Sequence, residues 1–193
     1  MARGVPRPPQ VVKARPRGTL PRVGARVYRR GMELVVIRHA IAIERNPEVE
    51  DAERSLTERG RRRFKQVVRG LRALDLRVDR ILASPWRRAA ETADLALPLL
   101  RSGGSAELCV HLCAPPRAEL LSAIAAAAVP RVAIIGHEPW LGELIALVTT
   151  GEARHGETIP LKKGGVAVLD GAPTPGGMHL RALLPPRVLR RLA

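Results

Sequence analysis

Arg38-His39 stands directly after a short β-branched run, Glu33-Leu-Val-Val-Ile37, and Gly136-His137 stands directly after another, Val132-Ala-Ile-Ile135. Between them, Ser84-Pro-x-x-Arg88-Ala89-x-x-Thr92 follows a third run, Asp79-Arg-Ile-Leu-Ala83. Imidazole suits nucleophilic and proton-transfer work near neutral pH. Guanidinium grips planar or tetrahedral oxyanions through two N–H groups at once. Each of these residues alone reads as structural: a histidine is more often a core or capping residue, and Arg88 alone is a cation at a helix start. Taken together, two histidines and two arginines on three strand ends, with no carboxylate among them, describe a pocket for a dianion such as phosphate. Arg88 gains further because the first amides of a helix already favour an anion.

The elements that must position these residues are legible from periodicity. The three runs read as strands buried on both faces, as in a parallel sheet. Leu56-Thr57-Glu58-Arg59-Gly60 opens a helix with Thr57 as N-cap, and Phe64, Val67, Val68, Leu71 and Leu74 recur on one face. Its other face, Arg61, Arg62, Lys65, Arg69 and Arg72, reads as solvated, since no aromatics interleave for base stacking. A helix follows Ser84-Pro85-Trp86 and runs to Leu97, closed by Pro98; another spans residues 117–128. Pro139 suits the first turn of a last helix, with Trp140, Leu144, Ile145 and Val148 inward. Val166–Leu169 and His179–Leu184 suggest a hairpin or two edge strands. Strands alternating with helices predict an α/β domain, three-layer α/β/α with a mostly parallel central sheet. Ligands of such sheets gather outside the carboxyl ends of the strands, where both histidines fall.

Composition bounds the rest. A chain of 193 residues holds one full core, and with 46% apolar but only 2% aromatic residues that core is aliphatic. The net charge is +15, and residues 1–31 carry nine basic residues and no acidic one. That Pro/Gly-rich stretch reads as a disordered basic extension, residues 32–193 as the folded domain. The extension is suited to non-specific polyanion binding, and its charge raises a rival reading, a non-catalytic nucleic-acid-binding protein. Leu34–Ile37 is too short for a secretory signal, and no stretch is long enough to span a membrane, so a cytoplasmic, membrane-free monomer is expected. Cys109, His111 and Cys113 would share one face of an extended segment, yet three ligands without a second cluster leave metal binding the weaker reading; no metal or cofactor is expected.

The order Val36-Ile-Arg38-His39-Ala40, Arg54-Ser-Leu-Thr57-x-x-Gly60, Ser84-Pro-x-x-Arg88-Ala-x-x-Thr92 and Gly136-His137 resembles the histidine phosphatase (phosphoglycerate mutase-like) superfamily across residues 32–184. The Arg-His-Ala opening and compact size look like its SixA-type bacterial phosphohistidine phosphatases. The resemblance implies a phosphoglycerate mutase-like fold. It also implies a metal-independent hydrolase in which His39 is the nucleophile, while Arg38, Arg88 and His137 hold the phosphoryl oxygens, with Arg54 as a further phosphate ligand. It implies, as partner, a phosphohistidine-bearing protein such as the phosphotransfer domain of a two-component relay. Two departures sharpen the expectation. Ala40-Ile41 replaces the Gly-Glu of larger members, and no general-acid motif follows Arg88; His111 and Glu119 are the nearest candidates. An alkoxide leaving group needs such an acid, typically worth ~10²–10⁴ in rate, whereas imidazole needs it far less. A phosphohistidine substrate is therefore favoured over the alternative, a small-molecule phosphomonoesterase.

Overall fold

The structure, a computed structural model, describes Met1 and residues 31–193. The basic extension expected over residues 1–31 thus lies almost wholly outside the described residues. Six strands, β1 Met32–Arg38, β2 Arg80–Ala83, β3 Glu107–Leu108, β4 Arg131–Gly136, β5 Val166–Gly171 and β6 Met178–Leu184, form one sheet in the order β3-β2-β4-β1-β5-β6. β3, β2, β4 and β1 run parallel, and β5 and β6 add two antiparallel strands beside β1. No helix among the described residues is long and apolar enough to cross a membrane.

Alternation along β1 builds the layers. Val35 and Ile37 face one core with Phe64, Val67 and Leu71 of α1 (Glu58–Ala73), Ala89 and Ala93 of α2 (Arg87–Ala96), and Leu189 at the end of the chain. Leu34 and Val36 face the other, with Leu120 and Ile124 of α3 (Ala118–Ala126) and Leu144, Ile145 and Val148 of α4 (Trp140–Thr150). Helices on both faces of the sheet make the three-layer α/β/α fold. Each fully buried Leu, Ile or Val contributes about 1.5–3 kcal/mol relative to exposure, so this aliphatic core needs no aromatic beyond Phe64.

Some expectations are corrected. The helix expected to reach Leu97 ends one residue earlier, at Ala96, and Pro98 closes it inside a 3₁₀ turn, Leu97–Leu99, where its missing N–H costs nothing. Of the two arrangements expected over Val166–Leu169 and His179–Leu184, the hairpin forms: β5 pairs antiparallel with β6, so β6 lies at the edge while β5 is flanked by β1 and β6. The segment Val110–Cys113 is a 3₁₀ turn rather than extended. Cys109 is consequently buried while His111 is exposed, and the three do not share a face. Among the described residues no three His, Cys, Asp or Glu side chains gather as metal ligands. Trp140 is half-exposed rather than part of the inward stripe of α4.

Candidate active site

Register brings the motifs together. Arg38 pairs with Gly136 and Ala83 with Ile135, so β2, β4 and β1 end level with one another. The residues just past these ends continue the ladder: the His39 amide donates to the Gly136 carbonyl at 3.0 Å, and the Ser84 amide to the Ile135 carbonyl at 2.9 Å. His39, Ser84 and His137 therefore emerge side by side at the carboxyl edge of the sheet. Their imidazole rings lie 5.1 Å apart, centre to centre, and both histidines are buried, at 5% and 2% exposure.

The helix motifs lock the loop that carries His39. Thr57 caps α1 by accepting from the Gly60 amide at 2.9 Å, and its own amide and hydroxyl donate to the Ile41 carbonyl at 2.9 and 3.2 Å. Gly60 packs so closely on this loop that a Cβ there would sit 2.1 Å from the Ile41 oxygen, which explains glycine at the third position after the cap. From α2, the Thr92 hydroxyl accepts the Ala40 amide at 3.0 Å and donates to the Arg88 carbonyl at 2.6 Å. Thr92 thus ties the residue after the histidine to the arginine of the helix start.

His39 Nδ1 lies 2.7 Å from the Ala40 carbonyl oxygen. A carbonyl can only accept, so Nδ1 carries the proton and Nε2 keeps the lone pair. Burial is the main cause that lowers the His39 pKa, to about 3; the Ala40 hydrogen bond opposes it, while the charges of Arg88, Arg38 and Lys163 add to it. His137 is likewise lowered to about 3, by burial first and then by His39 and Arg88. Both rings are neutral near pH 7, as a nucleophile requires. His137 Nε2 meets the Ser84 hydroxyl at 2.8 Å, and that hydroxyl also lies 3.1 Å from the Cys113 thiol.

Both arginines are half or fully sequestered. Arg38 donates through one terminal nitrogen to the Leu161 carbonyl at 2.6 Å. Glu138 braces that loop, accepting from the Leu161 amide at 2.7 Å and the Gly142 amide at 3.2 Å; burial raises its pKa. Arg88, 3% exposed, donates to the Asp51 carbonyl and, at 2.9 Å, to its carboxylate, and its guanidinium lies 4.6 Å from the Trp86 ring centre. Four buried side-chain polar atoms lack a partner among the described residues, and three are Arg38 Nε, Arg88 Nε and His137 Nδ1. A buried polar atom left unpaired costs about 1–3 kcal/mol, and three of them belong to the residues expected to hold an oxyanion.

The expectation of a site without carboxylates is corrected by Asp51. It sits in a 3₁₀ turn, Asp51–Glu53, and binds Arg88, Arg54 at 2.9 Å and Arg45 at 3.0 Å. Arg54 also donates to the Ile43 carbonyl at 2.7 Å. Arg54 therefore joins Arg88 through Asp51. Burial would raise the Asp51 pKa, but Arg88, Arg45 and Arg54 together hold it below the ordinary carboxylate value. Asp51 is ionised near neutrality and cannot donate a proton. His111 and Glu119, the acids considered from the sequence, are both exposed. Asp51, Trp86, Trp140 and Glu138 were not singled out as site residues by sequence; the scarcity of aromatics was the one available signal for the two tryptophans.

Burying two neutral imidazoles links stability to pH. With folded pKa values of about 3 and unfolded values of about 6.5, the unfolded chain binds more protons between those limits, so stability falls as pH drops from 6.5. On the order of 4 kcal/mol should be lost between about pH 6.5 and pH 4.5. Urea midpoints across this range should fall steeply for the wild type and much less for His39→Asn/His137→Asn; parallel slopes would contradict the assignment.

The comparisons with known proteins agree with this geometry. Residues 34–103 match the family model of the histidine phosphatase superfamily (branch 1). An uncharacterized protein of Picosynechococcus is 35% identical over 141 residues, spanning 70% of this chain and 82% of its own. Among solved structures, the protein histidine phosphatase SixA complexed with tungstate is similar with a TM-score of 0.67 and 25% identity, over 82% of this chain and 99% of that one. The alpha-ribazole phosphatase of Shigella flexneri has a similar fold, with a TM-score of 0.61 and 17% identity over 80% of this chain and 97% of its own. Motif order, strand-end geometry and relatives agree: this chain belongs to the histidine phosphatase superfamily.

Proposed function

We propose that this phosphatase removes phosphoryl groups from protein histidines, through a covalent phosphohistidine on His39. The observation that carries the reading is the His39 ring, whose Nδ1–H is fixed on the Ala40 carbonyl while Nε2 is unprotonated, beside the unpartnered polar atoms of Arg38, Arg88 and His137. In the first step Nε2 attacks phosphorus, the bond from phosphorus to the substrate nitrogen breaks, and its electron pair leaves with the imidazole. The Ala40 carbonyl stabilises the positive charge then gained by His39. Arg38, Arg88 and His137 bind the equatorial oxygens, and Arg54 acts through Asp51. Water attacks the phosphohistidine in the second step and restores the neutral ring. Tungstate, the ligand of the SixA structure, is a tetrahedral oxyanion of the kind these donors fit.

The state of Asp51 favours phosphoramidates over esters. The carboxylate bound to Arg88 is kept ionised and so offers no proton to an alkoxide. A leaving imidazole collects its proton on the nitrogen remote from phosphorus. The same fold in an alpha-ribazole phosphatase makes a small phosphate ester the second reading. A phosphohistidine-bearing phosphotransfer domain and small phosphate esters, each supplied separately, distinguish the two. The phosphoprotein should be hydrolysed with a kcat/KM at least about 10²-fold higher; comparable values would support the esterase.

A further inference from the structure

Aromatic residues are scarce in this chain: two Trp, one Phe and one Tyr. Phe64 is in the core and Tyr28 lies outside the described residues. Both tryptophans are at the site. Trp86 precedes α2 at the end of β2, and Trp140 opens α4 past the end of β4, so the same strand-end convergence that unites the histidines unites the indoles. They meet edge to face with ring centres 5.6 Å apart, and lie 4.6 and 6.2 Å from the His137 ring. His39 and His137 are buried while both indoles are half-exposed, so the indoles form the layer between His137 and solvent.

Packing alone does not account for this placement, since the core is complete with aliphatic side chains and an indole left half in water forfeits part of its burial energy. The leaving group of an in-line displacement departs on the side away from the nucleophile. His39 is buried, so that side opens toward solvent, where the indoles stand. We propose that Trp86 and Trp140 form an aromatic wall that receives a planar leaving group, the imidazole of a phosphohistidine residue, and makes the site select phosphoryl groups carried on flat rings over those on aliphatic hydroxyls. This rests on the phosphohistidine reading above. A ring on the wall gains an aromatic contact beyond its burial, and more where it carries the proton that makes it cationic. A serine side chain offers no such surface.

Trp86 also lies under Arg88, so the test uses Trp140. Two peptides of one sequence, bearing phosphohistidine or phosphoserine, are compared in wild type, Trp140→Leu and Trp140→Phe. The ratio of kcat/KM for phosphohistidine over phosphoserine should fall about tenfold in Trp140→Leu, mostly through KM, and recover in Trp140→Phe. An equal loss on both peptides would overturn the wall and leave Trp140 a structural support of His137. In the wild-type protein, phenylphosphonate should inhibit about tenfold more tightly than ethylphosphonate and should alter tryptophan fluorescence more; equal affinities and equal fluorescence responses would also overturn it. A wild type that prefers the phosphoserine peptide while still favouring phenylphosphonate would sink the phosphohistidine reading and leave the wall standing.

Discussion

His39→Ala should abolish turnover of a phosphohistidine protein, by several orders of magnitude, while the protein remains folded. The nucleophile cannot be replaced from its surroundings. His137 has its Nε2 on Ser84 and is proposed to hold the oxyanion, and the Cys113 thiol is separated from it by Ser84. The wild-type enzyme, quenched during turnover, should carry an acid-labile, base-stable phosphoryl label, and His39→Ala should carry none. Stability separates chemistry from misfolding. Removing a buried imidazole that resists protonation should leave the free energy of urea unfolding near pH 7 within about 2 kcal/mol of wild type, and should make the variant relatively more stable in acid. A His39→Ala protein that is folded, unlabelled and still active at the wild-type rate would remove His39 from the mechanism.

Much of this site was legible in the sequence because its parts are local. The run Leu34–Ile37 and the dipeptide after it define a strand end and a histidine within six residues. Thr57-x-x-Gly60 encodes a cap and a close approach, both short-range. What the sequence did not reveal depends on separations that only the fold closes. Asp51 lies three residues before Arg54 but 37 before Arg88; nothing in its neighbourhood distinguishes it from the acidic residues around it. Trp140 fits the helical stripe of α4 by periodicity, yet it opens the helix, where it is half-exposed and meets the His137 ring edge-on instead of joining the core. β3 has two residues, too few for any alternation to register. The strand order follows from pairing across 98 residues between Glu33 and Arg131, which no local pattern specifies.

Arg88→Met should lower kcat/KM by about 10²–10³ with little loss of stability. The methionine keeps an apolar stem of similar reach against Trp86 and removes only the charge and its donors. Structurally the loss is cushioned, because Asp51 keeps Arg45 and Arg54 and its side chain is 31% exposed, so no carboxylate is stranded in the interior. Catalytically it is not cushioned. Arg88 Nε is one of the three unpartnered buried polar atoms of the site, and the remaining two, from Arg38 and His137, bring only one positive charge, since His137 is neutral. Arg88→Lys should recover little activity: an ammonium can reach Asp51 or the phosphoryl group but cannot donate to both from a rigid fork. The comparison that decides the point is Asp51→Asn, which leaves the guanidinium in place and takes away only its anionic partner. If Arg88 acts on the phosphoryl group directly, Asp51→Asn should cost far less activity than Arg88→Met, and phosphate should inhibit Arg88→Met at least about tenfold more weakly than the wild type. Equal losses in the two variants, with unchanged inhibition by phosphate, would instead make the pair a structural clamp between the 51–53 turn and α2.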